Sequence, residues 1–447
     1  MNQKLKTRVD NMISRLHRED VCMHGFILSV GGEIKATAYY EPFEEGKPHR
    51  MYSVSKTMTA LAVGMLAEDG KLSLGDHIVD YFRDYLPENP DGRLMRQTIR
   101  DMLRMSTCHR ATAYKEGVDH DWAKSFFTVP PTHEPGTVFN YDTGCSQVLA
   151  ALVKRISGKN VLEFLQERLW GPIGAEDDKF WLCDPSGVNQ GGTGLCMSLR
   201  DMHRTAQVMM DGGRGLIPAW FLSEMTRCQI TTEMYTNEEE RYGYGWQCWR
   251  TRCGWAMYGL GGQLAIACPD KDVLLCTIAD TRLDPVGVQR IYNAFFAEIY
   301  PYIGMEDMSP SRYVLKPPSL LDDPAFHVDQ AGPFFFEENP LKLRSVELRG
   351  NTLIWENDMG RNEWRFGLGG NIVDTFPGWP DKPTLCSGGW IAPGMLRIRC
   401  HLIDHSPSGV DMLISLKGDC MTVHARRASD YVLVNYEGVA SGYLNGE

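Results

Sequence analysis

A serine and a lysine stand three residues apart in the segment Ser53-Val54-Ser55-Lys56. At that spacing both side chains lie on one face of a helix, so the lysine nitrogen can reach the serine hydroxyl. Free serine is a poor nucleophile and needs a neighbouring base. Lysine serves as that base only when it is uncharged, and burial together with the positive end of a helix favours the uncharged amine. The pair therefore predicts nucleophilic catalysis by Ser53, with Lys56 as its base.

The tetrapeptide at residues 53–56 also has an ordinary structural explanation. A single S-x-x-K match arises by chance in a chain of this length. A helix-capping serine followed by a solvated lysine would account for it without any chemistry. The elements and motifs around the pair must decide between the two explanations.

The residues that follow Ser53 predict a helix with one buried stripe. Met58, Leu61 and Met65 recur at intervals of three and four residues, which is the helical period. Gly70 then follows as a helix stop. The predicted helix would place Ser53 and Lys56 together at its first turn.

Strand signals lie at both ends of the first 300 residues. Residues 25–40 predict two strands joined at a glycine pair, and 255–269 and 271–280 predict further strands. Between them, over about 76–200, helical segments alternate with Pro- and Gly-marked loops. The order predicts an α+β domain over residues 1–305 that carries a mostly helical insert.

The composition of the chain changes near residue 305. Residues 306–324 are rich in proline and predict a linker. From 325 to 447, short runs alternate apolar and polar residues between Gly- or Asn-marked turns. This pattern predicts a separate C-terminal all-β domain, either a sandwich or a small barrel.

Composition and charge exclude several classes of protein. The 447 residues are 43% hydrophobic with a formal net charge of −11, which is typical of a globular protein and argues against nucleic-acid binding. The polar N-terminus lacks the apolar core of a signal peptide, and the chain has no run of about 18 apolar residues, so no membrane association is expected. Thirteen cysteines are scattered without a metal-site spacing. They predict small buried thiols, no metal site and a cytoplasmic location.

Six segments of the chain, in this order, resemble the serine β-lactamase and penicillin-binding-protein superfamily, specifically its class C-like branch of esterases, D-aminopeptidases and amide hydrolases. The segments are RMYSVSKTMTALAVGMLAEDGKLSLGDHIVDY (50–81), TIRDMLRMST (98–107), EPGTVFNYDTG (134–144), GGTGLCMSLRDMHRTAQVM (191–209), YGYGW (242–246) and YGLGGQ (258–263). The likeness covers about residues 20–300. It implies a β-lactamase/transpeptidase-like α/β fold for the first predicted domain.

The resemblance assigns roles to three side chains. Ser53 matches the nucleophile that becomes acylated, Lys56 matches its base partner, and Tyr141 matches the tyrosine that relays a proton to the leaving group. A phenol has an ordinary pKa near 10, so this relay is expected beside a cation such as Lys56, which favours the phenol's anion. The structural alternative for Tyr141 is a buried tyrosine whose hydroxyl caps a loop.

The resemblance also implies an oxyanion hole made of two backbone N–H groups. One belongs to Ser53. When Gly259 is aligned with the glycine of the family's Lys-Thr-Gly motif, the other belongs to Leu260. Gly261 and Gly262 can be matched instead, which leaves the register open. Glycines here would let a substrate approach the backbone, although a plain hairpin or bulge also explains them.

Substrate contacts are implied at positions near these motifs. The predicted substrate-binding residues are Thr143, Trp246, Tyr258, Gly259 and Gly261. Two positions depart from the family pattern. Thr143 stands where the family's Tyr-x-Asn motif has asparagine, and Met257 stands where its Lys-Thr-Gly motif has the cation that anchors a carboxylate. Both departures argue against efficient β-lactamase action.

The sequence therefore predicts a serine hydrolase that forms an acyl-enzyme on Ser53 and cleaves a small ester or amide. The YGLGGQ segment resembles 6-aminohexanoate-dimer hydrolases, so carboxylesterase, D-aminopeptidase and linear-amide hydrolase activities are all open. The mechanism needs no cofactor and no metal. A non-catalytic binding or sensing protein that keeps the fold, and a weak β-lactamase, are the alternatives.

Overall fold

The computed structural model describes residues 4–111, 121–175, 177–304, 309–358, 360–377, 379–405, 407–429, 433 and 435–444. The α-helices in these ranges are α1 (Lys4–Arg18), α2 (Val54–Glu68), α3 (Gly92–Met95), α4 (Ile99–Leu103), α5 (Trp122–Thr128), α6 (Thr143–Ser157), α7 (Val161–Leu165), α8 (Leu199–Met210), α9 (Ala219–Met225) and α10 (Gly287–Glu298). None of these helices is both long and apolar enough to cross a lipid bilayer.

Ten strands precede residue 320. They are β1 (Met23–Val30), β2 (Glu33–Tyr40), β3 (His49–Arg50), β4 (Phe180–Trp181), β5 (Leu195–Met197), β6 (Trp249–Arg250), β7 (Trp255–Gly259), β8 (Gln263–Cys268), β9 (Val273–Ala279) and β10 (Ser311–Leu315). Seven of them form one sheet in the order β10-β2-β1-β9-β8-β7-β6, and β3, β5 and β4 form a small second sheet. Helices α2 to α9 lie between β2 and β6 in the chain, so the prediction of an α+β fold with a helical insert is confirmed.

The seven-stranded sheet is covered on both faces. In β1, Ile27 packs into the core that contains α2, whereas Phe26 and Leu28 pack into the core that contains α1 and α10. Successive residues of a strand point to opposite faces, so a strand covered on both sides is buried along its whole length. The sheet is therefore the central layer of the first domain, with α2 and the helical insert on one face.

Helix α2 is buried on every side. The sequence predicted a single buried stripe, but every residue from 54 to 66 is buried. The helix packs against α6, α7 and the end of β7, so its whole circumference lies against protein. A helix apolar all round is typical of such a central position. Its first turn carries the predicted Ser–Lys pair, so that pair lies inside the domain.

A hairpin replaces the single strand predicted over 255–269. Strands β7 and β8 pair antiparallel, with Gly259 opposite Gln263 at their closed end. Gly261 and Gly262 form the turn with φ values of 83° and 98°. Glycine adopts such angles readily because it has no Cβ. The hairpin that the sequence left as an alternative explanation of these glycines is the structure found.

The predicted linker contributes a strand to the first sheet. Within 306–324, β10 pairs parallel with β2 at the edge of the seven-stranded sheet. Residues 305–308, at the start of the predicted linker, lie outside the described residues. The boundaries of the two domains stay a prediction.

The remaining strands form an eleven-stranded, nearly closed, barrel-like sheet, called here the C-terminal sheet. They are β11 (Gln330–Phe336), β12 (Ser345–Arg349), β13 (Thr352–Asn357), β14 (Gly360–Arg365), β15 (Gly367–Leu368), β16 (Ile372–Phe376), β17 (Trp379–Ala392), β18 (Met395–Leu402), β19 (Ser408–Lys417), β20 (Cys420–Ala428) and β21 (Gly438–Tyr443). Trp364, Trp390, Ile398 and Ile414 are buried inside it. The prediction of a C-terminal all-β unit is confirmed.

One disulfide bond lies at the open end of the β7–β8 hairpin. Cys253 precedes β7 and Cys268 ends β8, so strand pairing brings their Cα atoms within 4.9 Å. The sequence interpretation treated the cysteines as unpaired thiols, which is wrong for these two. The other eleven cysteines are free.

Gly64 offers a test of the packing around α2. A Cβ added at residue 64 would lie 2.5 Å from Cδ1 of Phe221. Alanine favours a helix over glycine by roughly 0.8–1.0 kcal/mol, but overpacking a core costs about 1–3 kcal/mol. We expect Gly64→Ala to lower the free energy of unfolding by about 1–2 kcal/mol in urea denaturation, because the steric cost exceeds the helical gain.

The matched control is Gly370→Ala, since a Cβ at residue 370 meets no atom within 4 Å. Its free energy of unfolding should stay within about 0.5 kcal/mol of the wild-type value. A Gly64→Ala variant more stable than the wild type would contradict the packing described for α2.

Candidate active site

Ser53 and Lys56 meet at the first turn of α2. Ser53 is the residue that caps the helix, but its side chain makes no capping hydrogen bond. The Lys56 Nζ lies 3.0 Å from the Ser53 Oγ. The Lys56 side chain is buried, with only 1% of the residue exposed. The alternative of a capping serine with a solvated lysine does not describe this pair.

A backbone carbonyl holds the other side of the Lys56 nitrogen. Lys56 Nζ donates a hydrogen bond to the Gly192 carbonyl oxygen at 2.8 Å. A Cβ added at residue 192 would lie 3.1 Å from this nitrogen and 2.6 Å from Cγ2 of Thr143. Only glycine permits so close an approach. The sequence interpretation missed Gly192, although the paired glycines of GGTGLC were the available signal.

Tyr141 completes the group around the nucleophile. Its side chain hydrogen-bonds Ser53, and the Lys56 Nζ lies over its ring, 4.9 Å from the ring centroid. Burial raises the pKa of Tyr141 well above its ordinary value, and the contact with Ser53 opposes this only in part. The raised pKa argues against the anionic phenol that the sequence analysis expects beside Lys56. A protonated Tyr141 is placed to donate its proton rather than to accept one.

Aromatic rings fix the orientation of Tyr141. The Trp249 ring stacks on it with centroids 5.8 Å apart, and the Tyr244 ring meets it edge-on at 6.3 Å. Tyr235 packs against Trp249 in turn, with centroids 5.4 Å apart. Trp249 and Tyr235 were not among the predicted site residues, because an aromatic-rich sequence does not say which rings face the site.

Trp246 does not join this aromatic group. Its ring packs against Phe221 at 5.1 Å and Trp220 at 6.5 Å, on the side of α9. The chain reverses here, since Tyr244 and Trp249 form a β-bridge and Gln247 between them has a φ of 53°. Residue 246 therefore points away from the side that carries Trp249. This packing argues against the predicted contact between Trp246 and a substrate, and that contact stays a prediction.

The end of β7 lies against the residues that precede the nucleophile. A Cβ added at Gly259 would lie 2.2 Å from the Met51 carbonyl oxygen. Leu260 follows and is half exposed. The Gly262 N–H is already occupied, because it donates to the Gly259 oxygen at 3.3 Å. Of the registers left open by the sequence, the geometry favours the one that offers the Leu260 N–H to a substrate.

Tyr52 takes an unusual backbone conformation directly before Ser53. Its φ is 46°, a left-handed value that costs a residue with a Cβ about 1–2 kcal/mol. The peptide that joins Tyr52 to Ser53 carries the Ser53 N–H, so this conformation sets the direction of that N–H. The N–H groups of the next three residues donate to backbone carbonyls. In the described part of the chain, the Ser53 N–H has no such acceptor.

Three of the other predicted substrate positions border the same region. Thr143 begins α6 and its methyl group lies against Gly192. The Tyr258 ring lies 6.0 Å from Trp249, and burial with the nearby Glu240 carboxylate raises its pKa well above its ordinary value. Gly261 lies in the turn after Leu260. Contact between these residues and a substrate stays a prediction.

The chain was compared with known protein families and sequences. The beta-lactamase family model matches residues 24–295. The 6-aminohexanoate-dimer hydrolase of Paenarthrobacter ureafaciens is 26% identical in an alignment 270 residues long that covers 55% of this chain and 68% of that enzyme. The range matched by the family model includes the whole of the candidate site.

Two solved structures share the fold. The D-amino acid amidase of Ochrobactrum anthropi is 15% identical, with a TM-score of 0.52 over 65% of this chain and 98% of its own. An octameric penicillin-binding protein homologue from Pyrococcus abyssi is 12% identical, with a TM-score of 0.51 over 98% of this chain and 99% of its own. The fold predicted from the resemblance is confirmed, and the second structure extends the likeness across the C-terminal sheet.

Gly259 tests the contact between β7 and the nucleophile turn. Because a Cβ at this position would overlap the Met51 carbonyl oxygen, Gly259→Ala must push the strand end away from residues 51–53. We expect the free energy of unfolding to fall by about 1–3 kcal/mol, measured by chemical denaturation.

The control is Gly75→Ala, where an added Cβ would meet only the Ser73 Oγ at an ordinary 3.7 Å. It should leave stability nearly unchanged. Equal stability of the two variants would mean that β7 does not press against Met51.

Proposed function

Because the chain belongs to the beta-lactamase family, we propose that it is a serine hydrolase that forms an acyl-enzyme on Ser53 and cleaves a small ester or amide. The observation that carries the proposal is the buried contact of 3.0 Å between Lys56 Nζ and Ser53 Oγ. Burial of a lysine side chain costs free energy unless neighbouring groups form hydrogen bonds with its nitrogen. The Lys56 nitrogen donates a hydrogen bond to the Gly192 carbonyl and lies within hydrogen-bond distance of the Ser53 hydroxyl. A general base needs such a position close to the proton that it removes.

The first half of the reaction makes the acyl-enzyme. Lys56, as the uncharged amine, takes the Ser53 hydroxyl proton while the Oγ bonds to the substrate carbonyl carbon. The N–H groups of Ser53 and Leu260 stabilise the negative charge on the former carbonyl oxygen. Tyr141 gives its proton to the leaving oxygen or nitrogen as that bond breaks. The Lys56 ammonium then returns a proton to Tyr141.

The second half releases the acyl group. Water attacks the ester carbonyl of the acylated Ser53, and its proton passes to the uncharged Lys56. The same two N–H groups stabilise the second oxyanion. The protonated Lys56 then returns a proton to the Ser53 Oγ as the acyl bond breaks. The acid leaves and the resting state is restored without metal or cofactor.

The substrate class follows from what surrounds the nucleophile. Met257 is fully buried and apolar where a carboxylate-binding cation would stand in a β-lactamase, so the site lacks that charge-assisted anchor. The similarity to a 6-aminohexanoate-dimer hydrolase and to a D-amino acid amidase supports a linear amide or a small ester. Carboxylesterase, D-aminopeptidase and linear-amide hydrolase activities are the types proposed.

We also propose that the protein is cytoplasmic. Eleven of the thirteen cysteines are free, which supports a reducing compartment. The Cys253–Cys268 disulfide is the observation that opposes it.

Substitution of the nucleophile gives the main test. We expect Ser53→Ala to lower kcat/KM on a chromogenic acyl ester by at least about 10³-fold, because no other hydroxyl replaces the nucleophile. Tyr141→Phe should lower kcat by about 10²-fold or more, since it removes the proton donor to the leaving group.

Ser55→Ala is the matched control, because Ser55 is also buried in α2 but its hydroxyl accepts a hydrogen bond from the Leu195 N–H. It should keep kcat/KM near the wild-type value. A fluorophosphonate probe should label the wild type at Ser53 with one group per chain. If the probe leaves Ser53 unmodified and Ser53→Ala stays active, the proposed enzyme is wrong, and a binding or sensing protein becomes the better account.

A chromogenic cephalosporin tests the choice of substrate class. We expect negligible turnover, measured by absorbance, under conditions where the acyl ester is hydrolysed rapidly. The physical reason is the missing cation at residue 257. Cephalosporin hydrolysis as fast as ester hydrolysis would instead favour a β-lactamase.

A further inference from the structure

The side chain of Tyr52 connects the nucleophile turn to the C-terminal sheet. Its hydroxyl donates a hydrogen bond to the Pro407 carbonyl oxygen at 3.2 Å, and the Arg282 Nη1 donates to that hydroxyl at 3.1 Å. Tyr52 is buried, with 3% of the residue exposed. Pro407 lies in the loop that leads into β19. The residue directly before the nucleophile is therefore held by a loop more than 350 positions away in the chain.

The same loop makes a second contact beside the first. The Arg50 N–H donates to the His405 carbonyl oxygen at 2.6 Å. The Arg50 guanidinium lies over the Tyr52 ring, 4.8 Å from its centroid. The loop of the C-terminal sheet thus accepts one hydrogen bond from the backbone of β3 and another from the side-chain hydroxyl of Tyr52.

Arg282 is fixed on its other side. Its Nε and Nη2 donate to the two carboxylate oxygens of Asp280 at 2.9 and 3.2 Å, and Nη2 also bonds the Pro407 carbonyl oxygen. Burial opposes ionisation of Asp280, yet Arg282 and His401 hold its pKa well below its ordinary value. The guanidinium is therefore held by two hydrogen bonds to a carboxylate whose lowered pKa favours its anionic form.

We propose that Tyr52 is a positioning residue. Pro407 and Arg282 hold its side chain, and this tether keeps its backbone in the left-handed conformation that directs the Ser53 N–H toward the oxyanion position. The C-terminal sheet thereby completes the oxyanion hole of the first domain. This inference rests on the proposed acyl-enzyme function and extends it, because it gives the C-terminal sheet a part in the reaction.

The tether matters because the conformation it holds is unfavourable for tyrosine. Without the two hydrogen bonds, Tyr52 can relax to a negative φ, and the peptide between residues 52 and 53 then rotates. The Ser53 N–H would turn away from the developing charge. An oxyanion donor acts mainly in the transition state, so its loss lowers kcat more than it raises KM.

Tyr52→Phe in the full-length chain tests the proposal, because it keeps the ring and removes only the tethering hydroxyl. We expect kcat for the chromogenic ester to fall by about ten-fold, which is less than the loss of a whole oxyanion donor. KM should stay within about two-fold. The inhibition constant of an aryl boronic acid should rise by the same factor as kcat falls, because its tetrahedral adduct uses the same N–H.

The matched control is Tyr40→Phe. Tyr40 is equally buried, but within the described part of the chain its hydroxyl has no hydrogen-bond partner. It should change neither kcat nor boronate affinity. Arg282→Lys should act in the same direction as Tyr52→Phe, because the three N–H groups of an ammonium cannot reproduce the four hydrogen bonds that the planar guanidinium makes to Asp280, Tyr52 and Pro407.

Hydrogen exchange separates this proposal from the proposed function. The peptide covering residues 50–57 should exchange faster in Tyr52→Phe than in the wild type, whatever the activity. Unchanged exchange overturns the tether even if the chain proves to be inactive. With an active wild type, unchanged kcat and boronate affinity in Tyr52→Phe overturn it and leave the acyl-enzyme intact. A merely structural role would lower stability without moving kcat and boronate affinity together.

Discussion

The contact between the Lys56 amine and the Ser53 hydroxyl is the interaction on which the rest of the site depends. It requires a basic nitrogen to be buried, which costs free energy unless neighbouring groups hydrogen-bond to that nitrogen or otherwise stabilise it. Gly192 supplies a carbonyl at 2.8 Å, and the Tyr141 ring covers the nitrogen at 4.9 Å. The Lys56 side chain is buried within α2, whereas Ser53 at the start of the helix is only partly buried and stays open to a substrate. The candidate site is therefore built on a helix that is itself part of the core of the first domain.

The local features of the site could be predicted from the sequence. Ser53 and Lys56 lie one helical turn apart, so their approach follows from the helical period alone. The helix that carries them also has regular apolar spacing and a clear stop residue, since Gly70 follows the end of α2 with a φ of 66°. Such features depend on residues close together in the chain, and the structure reproduces them with small shifts of their ends.

The features that were missed depend on residues far apart in the chain. Gly192 contacts Lys56 although the two are 136 positions apart in the chain, and Pro407 contacts Tyr52 although they are 355 positions apart. No local sequence spacing predicts either contact. Burial is the main cause of the raised pKa of Tyr141, and sequence spacing does not report burial. The sequence also does not show that the Trp246 ring packs against Phe221 of α9 while the Trp249 ring stacks on Tyr141. Long-range packing, not composition, decides which residues complete the site.

The most direct test of the account is to observe the acyl-enzyme itself. The full-length protein would be mixed with an activated ester, quenched in acid within the first turnover, and measured by mass spectrometry intact and after digestion. The account predicts one added acyl group per chain, located on the peptide that contains Ser53 and absent when Lys56 is replaced by methionine. Ester hydrolysis without any acylated protein, or with the acyl group on another residue, would contradict it.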